Sequence, residues 1–105
     1  MARTLRLSVP HNLTQEEART RIQSGIAKLR QQHGNKASNI RETWTQDHLD
    51  FELAAMGQHV RGQVDVRPRD VELQVELPWM LAMLAGRIQK EVETEGRKLL
   101  ESPPP

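Results

Sequence analysis

The feature that most constrains the fold is an alternation of apolar and polar residues between residues 38 and 77. A period of two is typical of a strand with one buried face, because successive side chains point to opposite sides of a sheet. The alternation occurs in runs at residues 40–44, 49–53, 60–66 and 71–77, and Glu42 interrupts the first run. Gly57-Gln58 and Pro68-Arg69-Asp70 suit turns between runs. The sequence therefore predicts an antiparallel meander with one apolar and one charged face.

A further strand and two helices flank this meander. Residues 4–9 alternate in the same way and stop at Pro10, which has no backbone N–H for a ladder. Thr14 and Glu17 have the spacing of a capping box, which predicts the start of a helix. A last helix is expected to begin with Pro78 at its first helical position and to run to about residue 100.

The predicted element order is β-α-β-β-β-β-α, which favours the α+β class. The expected architecture is a two-layer sandwich, in which an antiparallel sheet of about five strands carries both helices on one face. A chain of 105 residues has the length of one domain. Residues 1–101 are therefore predicted to form a single α+β domain, and residues 102–105 a disordered Pro-rich tail.

The start of the last helix, LPWMLAMLAG, has more apolar residues than one buried face needs. At 100° per residue, Leu81 and Ala85 share a stripe that suits the core. Three large side chains point elsewhere, and we call them the apolar trio: Trp79, Met80 and Met83. Either the chain itself covers this second side, for example with the loop after the first strand, or the trio contacts a second copy, a hydrophobic surface or a ligand.

The sequence offers little for catalysis, metal binding or nucleic acid. There is no Cys, and no pair of the four histidines has the i, i+4 spacing of a helical zinc site. His48 and His59 fall on or near neighbouring strands and could approach each other. We therefore expect no enzyme activity and no catalytic, cofactor-binding or metal-binding residues. The net charge of +1 gives no reason to expect nucleic acid as a partner.

No apolar run approaches the length of a transmembrane helix, so no transmembrane segment is expected. The lack of Cys fits a cytoplasmic protein.

Three segments resemble one family of small bacterial proteins. His11-Asn12-Leu13 with Glu17-Ala18-Arg19 is similar to its PH-x-L…EAR signature. The central W…D-x-L-x-F…G…V-x-G pattern is matched by Trp44, Asp47, Leu49, Phe51, Gly57, Val60 and Gly62. Its closing strand and helix are similar to Leu73, Val75, Leu77 and Gly86-Arg87-Ile88. By order and spacing the chain resembles the putative polyhydroxyalkanoic acid system family. This resemblance implies a role with polyhydroxyalkanoate storage granules and carries no catalytic residue with it.

Three hypotheses follow for function. The first is a non-enzymatic accessory protein, peripheral to storage granules, whose apolar trio contacts a granule, a granule-associated protein or a second copy in a homodimer. The second is a small domain that binds an acyl-type hydrophobic ligand between sheet and helices, with Gly25 and Gly62 leaving space for it. The third is an acid/base enzyme on polyester precursors, which requires His48 or His59 in a cleft with a carboxylate.

Overall fold

The computed structural model describes residues 3–32, 37–55 and 57–101. The predicted tail, residues 102–105, lies outside the described residues. The elements in chain order are β1 (Arg3–Pro10), α1 (Gln15–Gln32), β2 (Ala37–Thr45), β3 (His48–Ala55), β4 (Gln58–Val66), β5 (Asp70–Leu77), α2 (Trp79–Ala82) and α3 (Ala85–Glu101).

The five strands form one antiparallel sheet in the order β1-β5-β4-β3-β2. Strands β2 to β5 are therefore the predicted meander, and β1 adds to its free side against β5. Gly57 has φ 75°, the left-handed conformation that glycine adopts without steric cost in a tight hairpin. The predicted α+β fold is confirmed.

The apolar face of the sheet forms the core beneath the helices. In β1, Leu5 and Val9 are buried, and α3 packs over this strand. Buried residues fall into two clusters, one towards each end of the sheet. The first contains Val9, Ala18, Leu49, Val64, Val66, Val71 and Leu100, and the second contains Leu5, Val60, Val75, Leu77, Leu81 and Ala85.

Glu42 lies on this apolar side of the edge strand β2. Its Cα pairs with Phe51, so its side chain shares the face that Phe51 occupies. The Trp44 indole N–H donates to Glu42 Oε1 at 3.1 Å. Glu42, which interrupts the alternation, therefore accepts a hydrogen bond from the Trp44 indole at the edge of the core.

The predicted capping box begins α1. The Glu17 N–H donates to Thr14 Oγ1, and the Thr14 N–H donates to Glu17 Oε1, both at 3.1 Å. Hydrogen bonds from Thr14, chiefly its backbone N–H, hold the pKa of the Glu17 carboxyl below its ordinary value.

The expected single last helix is wrong, because the chain forms two helices there. Pro78 has φ −62° and ψ 158°, so it is the extended residue before α2 and not its first helical residue. After one turn, the Leu84 N–H bonds to the Leu81 carbonyl, three residues back, and α3 starts at Ala85. This tighter turn separates α2 from α3, and Leu81 before it and Ala85 after it both lie in the core.

Candidate functional site

The apolar trio is exposed. Trp79 retains 62% of its accessible surface, Met80 49% and Met83 83%. Among the described residues these are the large hydrophobic side chains that face solvent. The alternative in which the chain itself covers them is therefore not what the structure shows.

Two buried neighbours hold the trio in this orientation. Leu81 is 5% exposed and Ala85 1% exposed, and both belong to the core cluster beneath β5 and β1. Leu81 lies in the chain between Met80 and Met83, and Ala85 follows Met83 by two residues. Because Leu81 and Ala85 are packed into the core, they fix the segment after β5 that carries the apolar trio.

The space predicted for an acyl ligand is occupied by the protein. A Cβ at Gly25 would lie 2.6 Å from Leu99 Cδ1, and one at Gly62 would lie 2.5 Å from Phe51 Cζ. Both glycines therefore allow a close approach within the core rather than leave a cavity. Nothing in their surroundings favours ligand binding between sheet and helices.

Two clefts, of about 290 and 320 Å³, lie outside the space between sheet and helices, and Gly62 and Phe51 help to line the first. The first is on the charged side of the sheet and is lined by residues that include Asp50, Arg61 and Gln74. The second is at the β2–β3 turn, beside His48 and Arg67. Neither is lined by a member of the apolar trio.

His48 lies between two carboxylates. Its Nδ1 is 2.6 Å from Asp65 Oδ1, and its Nε2 is 3.5 Å from Asp50 Oδ1. The hydrogen bond to Asp65 raises the pKa of His48 above its ordinary value, and the charges of both carboxylates act in the same direction. A carboxylate lies at each ring nitrogen, an arrangement that favours the protonated imidazole and suits an ion pair.

The expectation that His48 and His59 could approach each other is wrong. In the β3–β4 hairpin, His48 pairs with Asp65 and His59 pairs with Ala54, six residues further along β3. At ~3.3 Å per residue the two imidazoles are anchored roughly 20 Å apart. Within the described part of the chain, no group of three or more His, Asp or Glu side chains is placed to hold a metal ion.

His11 has a structural role that the sequence reasoning missed. Its ring is 7% exposed, and its Nδ1 accepts the Leu13 N–H at 3.1 Å. The ring proton must then be on Nε2, which donates to the Arg67 carbonyl at 2.9 Å. His11 therefore ties the β1–α1 loop to the β4–β5 turn. A histidine directly after the strand-ending Pro10 was the available signal.

An ion pair joins two of the segments that resemble the family. Arg19 Nη1 donates to Asp47 Oδ1 at 3.0 Å, so α1 is fastened to the β2–β3 turn. The Asp47 carbonyl also accepts the Val66 N–H at 2.8 Å. These residues stabilise one end of the sheet, whereas the apolar trio lies at the other.

Fold and site together define a small α+β protein that presents an exposed apolar segment between its sheet and its last helix. Residues 5–100 match the family described as putative polyhydroxyalkanoic acid system protein, and the chain belongs to this family. The resemblance seen in the sequence is thereby confirmed. No curated protein and no solved structure matches the chain. In the part of the chain that the structure describes, no helix has the length and apolar character needed to cross a membrane.

Proposed function

We propose that this chain is a non-enzymatic accessory protein of the polyhydroxyalkanoate system, which attaches to the hydrophobic granule surface in the cytoplasm through Trp79, Met80 and Met83. The single observation that carries the proposal is that these three side chains are exposed together on one short segment, which Leu81 and Ala85 anchor in the core. Membership of the polyhydroxyalkanoic acid system family supplies the context.

The free energy of transferring the exposed surface of the apolar trio from water gives the expected strength of attachment to the granule. Moving the exposed part of Trp79, 62% of the residue, from water into an apolar phase is worth about 3 kcal/mol. Met83, 83% exposed, adds about 2 kcal/mol, and Met80, 49% exposed, adds about 1 kcal/mol. A total of about 6 kcal/mol before association costs does not exceed that of one acyl chain, which by itself attaches a protein only reversibly.

The non-enzymatic part of the proposal is supported by the surroundings of the histidines. His48 is engaged by Asp65 and Asp50, and its ring is about a third exposed. His59 is largely exposed, 3.9 Å from Glu52. His48 borders the cleft of about 320 Å³ at the β2–β3 turn, but its two ring nitrogens already face Asp65 and Asp50, which leaves neither of them directed at a substrate in that cleft.

The test is binding to polyhydroxyalkanoate nanoparticles by the wild type and by a Trp79→Ala, Met83→Ser double variant. We expect the variant to bind roughly a thousandfold more weakly, because it loses about 4 to 5 kcal/mol of apolar transfer. A matched control replaces two exposed residues of the charged sheet face, Thr43→Ala with Gln63→Ala, and should bind like the wild type.

Light scattering on the same proteins separates granule contact from self-association. Unchanged particle binding by the double variant would refute the proposal. A wild-type dimer that the double substitution converts to monomers, with no particle binding by either protein, would also overturn it, since the trio would then be an interface between copies.

A further inference from the structure

The apolar trio continues into a row of cations along the outer side of α3. Counted at 100° per residue from Met83, Trp79, Met80, Arg87 and Lys90 all fall within an arc of about 100°. Met83 has φ −64° and ψ −23°, so the turn between α2 and α3 stays right-handed and helical and broadly keeps this phase. All five residues are exposed. We call them the outward ridge.

The cations of the outward ridge have no acidic partner in residues 3–32, 37–55 and 57–101. Further along α3, by contrast, Arg97 lies 2.9 Å from Glu93, and Lys98 lies 3.8 Å from Glu95. The acid that follows the ridge, Glu91, is exposed at its margin. The positive charges of Arg87 and Lys90 are therefore available to an external anion.

A third cation lies near the same end of the sheet. Arg3 is exposed, and its Cα pairs with Leu77, two residues before the trio begins. Apolar side chains followed by cations on one solvent-facing ridge are typical of proteins that bind at an apolar–water boundary bearing negative charge.

We propose that the outward ridge binds an anionic phospholipid layer, with Trp79, Met80 and Met83 among the acyl chains and Arg87 and Lys90 on the headgroup phosphates. This inference rests on the proposed function and names the surface that the same segment recognises. A bare polyester carries ester groups without net charge, so it provides no anionic group for Arg87 and Lys90 to bind. An apolar anchor equivalent to one acyl chain is marginal alone, and a basic patch is the second signal that stabilises such attachment.

The experiment compares sedimentation with vesicles of phosphatidylcholine alone and of phosphatidylcholine mixed with phosphatidylglycerol. The decisive variant is Arg87→Gln with Lys90→Gln. We expect it to bind the mixed vesicles roughly 10- to 30-fold more weakly at low salt and to bind uncharged polyester nanoparticles as the wild type does. Raising the salt should reduce the difference between variant and wild type.

The matched control is Arg6→Gln with Arg41→Gln, which removes the same net charge from exposed positions on the other side of the sheet. It should bind mixed vesicles like the wild type. Equal weakening by both double variants would show that net charge alone acts, and would overturn the inference. Wild-type binding that does not depend on phosphatidylglycerol would also overturn it.

The fluorescence emission of Trp79 is an independent measure of insertion into the lipid layer. In a Trp44→Phe background the remaining indole is the exposed Trp79, and its emission should shift to shorter wavelength with mixed vesicles. If polyester binding depends on the trio but no shift occurs with mixed vesicles, the proposed function stands and the lipid inference fails. If the trio is not needed for polyester, the proposed function itself fails.

Discussion

Gly62, in the central strand β4, allows the closest packing in the sheet. A Cβ there would lie 2.5 Å from Phe51 Cζ and 2.7 Å from the Gln74 backbone oxygen. The Phe51 atom is the far end of a side chain, whereas the backbone oxygen belongs to a paired strand and cannot shift without disturbing that pairing. Gly62→Ala should therefore destabilise the fold, although alanine is ordinarily the better residue in a strand.

The expected cost follows from these contacts. Overpacking of this kind costs about 1–3 kcal/mol, and the lower backbone entropy of unfolded alanine returns about 0.5–1 kcal/mol. We expect a net loss of about 1–2 kcal/mol in the free energy of unfolding. For a domain of this size the melting temperature should fall by roughly 5–10 °C. Urea titration and thermal melting followed by circular dichroism measure both quantities.

Gly86→Ala is the matched control, because no atom lies within 4 Å of the added Cβ in α3. There the same substitution should stabilise by about 0.5–1 kcal/mol. Adding Phe51→Leu to Gly62→Ala should cost less than the sum of the two single changes, since the shorter side chain removes one clash. A Gly62→Ala protein as stable as the wild type would refute the reasoning and reopen the possibility that Gly62 leaves usable space.

Three further predictions concern the polar ties. Because the pKa of His48 is raised in the folded protein, its ion pair stabilises fully below the unfolded pKa of about 6.5, and this stabilisation fades as pH rises through the folded pKa. The difference in unfolding free energy between wild type and His48→Gln should shrink accordingly in urea titrations across that range. His11→Ala should lose about 1–3 kcal/mol by chemical denaturation, because it removes the partner of the half-buried Leu13 N–H and of the Arg67 carbonyl. Thr14→Ala should cost about 1 kcal/mol, and NMR titration should show only a small rise in the Glu17 pKa, because the backbone N–H of residue 14, the main cause of the lowering, is kept.

The period-two pattern predicted most of the fold because strand pairing is set by local alternation and turn residues. The separation of His48 from His59 was also implicit in the sequence. A two-residue turn before Gln58 pairs His59 with Ala54, which places His48 at the far end of the hairpin. Register, and not the neighbourhood of two strands alone, decides which of their side chains meet.

The break between α2 and α3 could not be found in the same way. Leu81 and Ala85 are four residues apart and would share a face in an unbroken helix as well, so their spacing gives no signal of the turn between the two helices. The His11 tie is also non-local, because Arg67 is 56 residues away in the chain. Angular counting did separate the apolar trio from the core stripe, since Leu81 and the trio lie within one turn and a half of each other.

The position of β1 at the edge of the sheet has a consequence for biosynthesis. Strands β2 to β5 are joined by short turns and can pair as each leaves the ribosome, whereas Arg3 pairs with Leu77 and Pro10 with Asp70. Strand β1 must therefore wait for β5 before it finds its neighbour in the sheet. Closure of this long loop should limit the rate of folding. Until that step, the unpaired edge of β5 exposes backbone N–H and carbonyl groups to other chains, so the interval before β1 docks is the one most exposed to aggregation.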